Sequence, residues 1–358
     1  MEKIKIAIIV TNGVPASYGG FETFVEHLIE GKQAIFSVYC SSKNGKKREE
    51  EYKGARLIYI PLKANGISSI AYDIFSMIHA LWSGQKNFLI LGVSGAIFFP
   101  ILKLFPEIKV ITNIDGIEWQ RNKWKGLSKI FLKFSEFMAI KFSSLIISDN
   151  LAITKYVSEK YKIDAKTIAY GGDHAFFTKE KVPLLTIENL KHGKSKYALS
   201  ICRIEPENNV EMILEAVSLM DLSLVFIGNW SDSEYGKRLF KKFSSRTNIH
   251  LLDPIYSIES LFEYRASCSV YIHGHSAGGT NPSLVEMMFF SKPIIAFDCS
   301  FNRFTLENKG NYFSSTQKLS HLLSDIESLT DKIIFREIAN RKYTWDFIRK
   351  EYLELFEK

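Results

Sequence analysis

The chain has 358 residues, 46% of them hydrophobic and 24% charged, with 46 Lys and Arg against 39 Asp and Glu. This length and composition predict two globular domains and exclude a disordered or fibrous chain. The net charge of +7 favours anionic partners such as nucleotides or a phospholipid surface, but without a recognisable nucleic-acid module it does not indicate nucleic acid as a partner.

The first apolar run, residues 4–10, stops before Asn12 and Gly13. It is too short for the core of a signal peptide and predicts a first β-strand. The most apolar stretch, residues 87–106, is interrupted by glycines and a proline, which favours a strand, a turn and a helix over a membrane span. The cysteines lack the close spacing of a zinc or redox motif and are expected to be reduced thiols; they are Cys40, Cys202, Cys268 and Cys299.

Apolar, β-branched runs alternate with helical patterns in both halves of the chain, which is typical of parallel sheets covered by helices on both faces. In the first half the runs are 4–10, 36–40, 56–62, 87–92, 109–115, 144–149 and 166–172. In the second half they are 197–204, 223–229, 248–255, 268–274 and 293–298. The sequence therefore predicts an α/β chain of two doubly wound, Rossmann-like domains, with ligands at the carboxyl ends of the strands.

The pattern also predicts where the domains begin and end. We expect an N-terminal domain over 1–172, a polar linker over 173–196, a second domain over 197–340 and a closing helix over 341–358. Apolar residues three to four apart make that last helix amphipathic, so it should pack on another element.

In the first half, Gly19 and Gly20 precede a helix that begins near Phe21, with Glu22 in its first turn. The spacing does not match a dinucleotide fingerprint. The loop is either a place where the backbone approaches a ligand or a simple tight turn.

A second polar cluster follows the strand 109–115. Asp115, Glu118 and Arg121 stand there beside Trp119 and Trp124, whose rings could stack on a sugar. Each acid taken alone could equally be structural.

Two other stretches of the first half leave alternatives open. The segment around Ser94 resembles a nucleophile elbow only in part, and without a readable His–acid pair it does not favour a hydrolase. Residues 127–145 combine phenylalanines with Lys129, Lys133 and Lys141. Such a basic amphipathic helix can lie on an anionic membrane, although an ordinary domain helix is slightly favoured.

In the second half, Arg203 stands at the exit of a strand, where its guanidinium could clamp a pyrophosphate or pair with Glu205 or Glu207. Residues 276–288 place glycines and an Asn-Pro-Ser turn before a helix that carries Glu286. Free amides at such a turn bind anions, and a purely structural cap is the alternative.

His273 and His275 stand two residues apart, so both rings should lie on one strand face. Further ligands at convincing spacing are lacking, so we expect a polar lining of the cleft and no metal site.

Taken together, these motifs resemble those of retaining glycosyltransferases of the GT-B fold, namely glycosyltransferase family 4 and its bacterial rhamnosyltransferase-like members. The resemblance spans nearly the whole chain and is carried by YGGFET (18–23), DGIEWQRNKW (115–124), RIEPENN (203–209) and GHSAGGTNPSLVEMM (274–288). It implies two domains that face a cleft, with a C-terminal helix that returns to the N-terminal domain.

The resemblance also implies roles for single residues. Arg203 would hold the donor diphosphate, and Asn208 replaces a lysine that is usual a few residues later. Of two glutamates that the family spaces eight positions apart, the second is Glu286, which would bind the ribose, and the first is replaced by Gly278. Asp115 stands in the place of a catalytic-loop histidine.

The remaining donor contacts follow from the same comparison. Ile255 and Tyr256 match the place where relatives pack the nucleobase. The diphosphate would also contact the backbone of the loop residues that enter the helix, Gly279, Thr280, Asn281, Pro282 and Ser283.

The implied activity is transfer of a sugar from a nucleoside diphosphate sugar to a hydroxyl, without a cofactor or metal. The missing acid at Gly278 suggests a 6-deoxy sugar, with dTDP-rhamnose as donor. The acceptor would be a saccharide or lipid-linked saccharide in cell-envelope or capsular polysaccharide synthesis. We expect a cytoplasmic enzyme, peripheral on the inner face of the membrane. Two alternatives remain open: an epimerase or phosphorylase on the same fold, and an inactive nucleotide-sugar-binding protein.

Overall fold

The computed structural model describes residues 3–9, 12–16, 19–31, 33–43, 48–120, 124–177, 196–329 and 332–357. The chain divides into two compact units. Unit 1 contains Met1–Ala169 together with Trp345–Lys358, and unit 2 contains Tyr170–Thr344.

Unit 1 is built on an eight-stranded sheet. Its strands are β1 (Ile4–Ile9), β2 (Ala34–Ser41), β3 (Glu51–Tyr52), β4 (Ala55–Ile60), β5 (Asn87–Leu91), β6 (Lys109–Asn113), β7 (Leu145–Ser148) and β8 (Ala165–Thr167). They lie in the order β3-β4-β2-β1-β5-β6-β7-β8, and every pair is parallel except the β3–β4 hairpin. Its helices are α1 (Gly20–Leu28), α2 (Ser68–Trp82), α3 (Phe99–Leu102), α4 (Gly126–Phe142) and α5 (Leu151–Tyr161).

Unit 2 is built on a six-stranded, wholly parallel sheet in the order β11-β10-β9-β12-β13-β14. Its strands are β9 (Tyr197–Ile201), β10 (Ser223–Ile227), β11 (Ile249–Leu252), β12 (Val270–His273), β13 (Ile294–Phe297) and β14 (Asn311–Phe313). Its helices are α6 (Val210–Ser218), α7 (Glu234–Phe243), α8 (Ile258–Ser267), α9 (Pro282–Met288), α10 (Ser300–Thr305), α11 (Thr316–Ser324) and α12 (Lys332–Lys342).

Both sheets confirm the predicted fold class. The central strands are mostly apolar and buried, as in β10, where Leu224 to Ile227 are all buried. A strand covered by helices on both faces has no solvent side, so it reads as a continuous apolar run. All twelve predicted strands are present, while the short strands β3 and β14 did not stand out in the sequence.

The last helix, α13 (Trp345–Glu357), belongs to unit 1. Trp345 stacks on His27 of α1 at a ring distance of 4.4 Å, and Tyr352 packs against Phe24 at 4.7 Å. The Tyr352 hydroxyl accepts a hydrogen bond of 2.8 Å from Asn113, the last residue of β6. The C-terminal helix therefore returns to the N-terminal unit and supports the residues that follow β6.

Most of the predicted linker, residues 178–195, lies outside the described residues. Within the described part of the chain, no helix is long and apolar enough to cross a membrane.

Candidate active site

In unit 2 the loop after β9 presents Arg203 to solvent. Its Nη1 lies 3.4 Å from Oε1 of Glu205, so the salt bridge considered from the sequence does form. Both side chains are well exposed, and an exposed pair of this kind contributes only about 0–1 kcal/mol. The guanidinium can therefore exchange this partner for a more highly charged anion.

Asn208 supports this loop from beneath. It is buried, and its Nδ2 donates a hydrogen bond of 2.7 Å to the backbone carbonyl of Arg203. The next residue, Asn209, has a positive φ of 50° and donates from Nδ2 to the carbonyl of Gly274 at 2.8 Å. The two asparagines thus hold the Arg203 loop in place through backbone groups.

The loop after β12 is joined to the same segment. Both the backbone N–H and the hydroxyl of Ser276 donate to the carbonyl of Glu207, at 2.9 and 2.8 Å. A Cβ at Gly274 would lie 2.1 Å from the carbonyl oxygen of Asn208, a distance that no side chain tolerates. Because β9 and β12 are neighbours in the sheet, the two loops form one connected surface at their carboxyl ends.

The predicted Asn-Pro-Ser helix start is confirmed in α9. Asn281 is the N-cap residue, and its Oδ1 accepts from the N–H and the hydroxyl of Ser283 at 3.1 and 2.8 Å. Pro282 takes the first helical position, where the missing N–H costs nothing. Tyr271 donates to the Ser283 hydroxyl at 3.1 Å, and Thr280 is buried.

Gly278, with its neighbour Gly279, lies in the partly buried bend of this loop. Its φ is +111°, which L-residues rarely adopt, although a Cβ there would meet no atom within 4 Å. A glutamate at this position would be limited by backbone strain and not by space.

Glu286 lies about one turn into α9 and is held by an arginine and a histidine of unit 2. Its Oε2 pairs with Nη2 of Arg265 on α8, and its Oε1 lies 3.3 Å from Nε2 of His174. Arg265 is buried, and Glu286 and His174 are each about 15% exposed. Because these two contacts engage different oxygens, they fix the orientation of the carboxylate.

Arg265 and His174 were not identified from the sequence. Arg265 lies in a mixed segment of α8 and carries no motif, while His174 follows a glycine pair and Asp173. The sequence carries no local signal for these partners. Arg265 lies 21 residues before Glu286 in the chain, and the two meet only in the folded structure.

His273 and His275 stack at a ring distance of 4.4 Å. His273 is fully buried, and burial, together with the neighbouring His275, holds its pKa well below the ordinary value. The His273 side chain is therefore neutral. Ile255 and Tyr256 follow β11, and the Tyr256 side chain is exposed.

In unit 1 the loop before α1 is attached to that helix through the carboxylate of Glu22. The backbone N–H of Asn12 donates to Glu22 Oε1 at 3.1 Å. A Cβ at Gly19 would lie 2.0 Å from Glu22 Oε2, so Gly19 allows this carboxylate to approach the backbone. Gly20 is the first residue of α1. These contacts indicate a structural role for Glu22 within its own unit.

The residues after β6 form a tight turn. Asp115 has a positive φ of 59°, and its N–H donates to Asn113 Oδ1 at 2.9 Å. Asparagine and aspartate favour such a turn because their short side chains bond the local backbone. Glu118 accepts a 2.8 Å bond from Trp124 Nε1.

Trp119 is surrounded by a cluster that was not foreseen. Its Nε1 donates at 3.0 Å to Glu136, a buried glutamate of α4, which also accepts from the hydroxyls of Tyr156 and Tyr161 at 2.7 and 2.5 Å. The ammonium groups of Lys133 and Lys160 lie 4.4 and 5.1 Å from the centre of the Trp119 ring. The indole is thus engaged by lysines as well as by Glu136. Arg121 lies outside the described residues.

Among the described residues, no group of three or more His, Cys, Asp or Glu side chains is arranged to hold a metal ion. All four cysteines are free thiols.

Two family models match the sequence in succession. Residues 3–173 match a domain of unknown function, DUF1972, and residues 185–337 match the family described as glycosyl transferases group 1. A search of curated proteins gives no significant match.

Solved structures resemble the chain over its full length. Sucrose-phosphate synthase from Thermosynechococcus elongatus has a TM-score of 0.82 at 14% identity, with 99% of this chain and 98% of that chain covered. Anabaena HepE in complex with UDP-glucose has a TM-score of 0.75 at 13% identity, with 99% of both chains covered. The catalytic domain of starch synthase IV from Arabidopsis thaliana, bound to ADP and acarbose, has a TM-score of 0.75 at 12% identity, with 99% of both chains covered.

At these identities the structural similarity defines the fold, which is GT-B, while the family match over 185–337 defines the type of enzyme. The chain is therefore a glycosyltransferase with a group 1 glycosyltransferase domain in its C-terminal half.

Proposed function

We propose that the enzyme transfers a sugar from a nucleoside diphosphate sugar to a hydroxyl acceptor, with retention of configuration. The observation that supports this proposal is the connected surface in unit 2. There the Arg203 loop, the Gly274–Ser283 loop and the oriented carboxylate of Glu286 follow the adjacent strands β9 and β12.

The diphosphate is the part of the donor that becomes more negative as the sugar leaves. Arg203 would exchange Glu205 for the phosphate oxygens, and the backbone around Gly279 would add N–H donors. Preorganised donors aimed at developing charge are among the largest contributions to catalysis. Asn208 would act indirectly, by fixing the carbonyl of Arg203.

The nucleoside would be held farther along the same surface. Glu286, oriented by Arg265 and His174, would accept hydrogen bonds from the two ribose hydroxyls. Ile255 and Tyr256 would contact the base. The complexes of Anabaena HepE with UDP-glucose and of starch synthase IV with ADP support a nucleoside diphosphate as the ligand class.

For the sugar we propose rhamnose, with dTDP-rhamnose as the donor. Gly278 supplies no carboxylate for sugar hydroxyls, and its positive φ disfavours one. A 6-deoxy sugar presents a methyl group that needs no such partner. On this proposal the enzyme would belong to the rhamnosyltransferase-like branch of family 4.

For the acceptor we propose a saccharide or lipid-linked saccharide of cell-envelope or capsular polysaccharide synthesis. Asp115 or Glu118 would orient the attacking hydroxyl, and Gly19, Gly20 and Trp119 would line the acceptor side. A lipid-linked acceptor would bring the enzyme to the inner face of the cell membrane as a peripheral protein.

The decisive experiment is Arg203→Ala with Arg238→Ala as control. Arg238 is an exposed, ion-paired arginine of the same unit, on α7. We expect Arg203→Ala to lower kcat/KM by roughly 10²–10³, the range found for removal of one preorganised donor. The control should stay within about twofold.

Transfer from UDP-, dTDP- and GDP-sugars would be measured by product analysis, and thermal shift would report which donor stabilises the protein. Near wild-type kcat/KM in Arg203→Ala with every donor would refute the diphosphate contact. Stabilisation by UDP-glucose but not dTDP-rhamnose would refute the proposed sugar donor alone.

A further inference from the structure

The outer face of α4 carries a stripe of apolar side chains. Leu127, Ile130, Phe134 and Phe137 are all exposed, from 84% at Leu127 to 42% at Phe137. Their spacing of three, four and three residues places them on one side of the helix. The opposite side buries residues of the core, among them Leu132, Ala139 and Ile140. The helix is therefore apolar towards solvent as well as towards its own unit.

The neighbouring segment carries further exposed apolar side chains. Residues 96–102 form a 3-10 turn and α3, which pack against α4. Four more exposed apolar side chains belong to this region, namely Ile97, Ile101, Leu104 and Phe105. Single exposed apolar residues are ordinary, but a group on two adjoining elements indicates an interaction surface. We call these eight residues the α3–α4 surface.

Lysines outnumber acids around the α3–α4 surface, where Glu107, two residues after Phe105, is an exposed acid. α4 contains three lysines and a single glutamate, Glu136, which is buried and hydrogen-bonded inside unit 1. Lys141 lies 5.6 Å from the ring centre of Phe137, and Lys103 is exposed at the end of α3. In the part of the chain that the structure describes, Glu136 pairs with Lys160 and not with these lysines.

We propose that the α3–α4 surface docks on the headgroup region of an anionic lipid bilayer. Apolar side chains flanked by lysines are the composition of a helix that lies in a membrane interface, where lysines meet lipid phosphates. A second copy of the chain is a poorer fit, because a two-fold contact would bring the same lysines together. The proposal deepens the peripheral membrane position proposed above by naming the surface that binds, and its test requires neither the sugar donor nor the acceptor.

Vesicle co-sedimentation tests the apolar part of the surface. The full-length protein is mixed with phosphatidylcholine vesicles with and without phosphatidylglycerol, at low and high salt. We expect binding only to the anionic vesicles, and release by salt because the Debye length shortens. The double variant Phe134→Ser/Phe137→Ser should lose binding. The control Leu219→Ser/Phe240→Ser removes two exposed apolar residues of unit 2 and should bind like wild type.

The charge contribution is tested by Lys103→Ala/Lys141→Ala, with Lys241→Ala/Lys318→Ala as control for lost charge elsewhere. At about 1 kcal/mol for each lysine near an anionic surface, we expect a loss of roughly thirty-fold in the partition coefficient. Circular dichroism and transfer to a soluble acceptor show whether the variants stay folded.

Several outcomes would overturn the proposal. They are absence of binding to anionic vesicles at low salt, equal binding to neutral vesicles, and equal losses in the control variants. Concentration-dependent dimers in sedimentation velocity that disappear in Phe134→Ser/Phe137→Ser would assign the surface to a second copy instead. If binding is confirmed and sugar transfer is not found, the docking surface stands while the proposed function fails.

Discussion

Replacement of Arg265 by methionine should uncouple Glu286 from its support. Arg265 is buried in α8, and its guanidinium pairs with Glu286 Oε2. Methionine retains much of the arginine stem but carries no charge. Of its two partners described above, the carboxylate would then retain His174, at 3.3 Å on the other oxygen.

The size of the effect follows from this geometry. Removal of one partner from a fully buried ion pair costs about 3–5 kcal/mol. Glu286 is about 15% exposed and retains His174, so water and the imidazole recover part of the loss. We expect a loss of about 2–3 kcal/mol in the free energy of unfolding of unit 2. For a unit of this size that corresponds to a fall in Tm of about 5–10 °C.

A double-mutant cycle with Glu286→Gln isolates the pair. The neutral amide does not need a cation, so the double variant should lose less stability than the sum of the single variants, by at least about 1 kcal/mol. Calorimetry measures stability, and hydrogen exchange in the peptide that covers α9 reports locally. The KM for the donor should rise in Arg265→Met even below the melting temperature, because Glu286 is no longer oriented.

Additive losses in the cycle would refute a direct interaction between the two side chains. Unchanged exchange in α9 together with an unchanged KM would show that Arg265 does not position Glu286. Arg265→Lys provides a graded comparison, because lysine keeps the charge but not the planar fork.

Three further predictions concern other sites. Burial raises the pKa of Asp73 to about 7, even though a hydrogen bond from the Ser94 hydroxyl acts in the opposite direction. The folded protein therefore keeps a proton on Asp73 that the unfolded chain loses near pH 4. Stability should therefore fall as pH rises from about 4 to 7, and Asp73→Asn should flatten this slope in urea titrations. Gly274→Ala would force a Cβ to 2.1 Å from the Asn208 carbonyl and should raise the donor KM by tenfold or more in steady-state kinetics. Glu136→Gln replaces one buried acceptor oxygen by an amide N–H₂ group. It should lower the free energy of unfolding by about 2–3 kcal/mol, measured by calorimetry.

Each of these three predictions can be contradicted by a defined result. An unchanged pH slope in Asp73→Asn would show that another group titrates in that window. For Gly274 the control is Gly278→Ala, where the added Cβ has space and only backbone strain is expected, about 1 kcal/mol. Equal effects of the two alanines on the donor KM would argue against the clash. A loss below about 0.5 kcal/mol in Glu136→Gln would mean that its hydrogen bonds contribute little.

The layers of the fold could be predicted because buried parallel strands read directly as apolar runs. The start of α9 could also be predicted, because an asparagine cap and a proline at the first helical position are local sequence signals. The strand β14 was missed because only three residues, Asn311 to Phe313, form it.

By itself the sequence determined two doubly wound units, a glycine-rich turn before α9 and the positions of Arg203 and Glu286, because each depends on residues close together in the chain. Only the tertiary structure decided their partners. Arg265 meets Glu286 from another helix, and Glu136 collects donors from α5 and the turn after β6. The tertiary structure also decided that Phe134 and Phe137 of α4 face solvent. Such contacts join residues that are distant in sequence, and no local pattern encodes them.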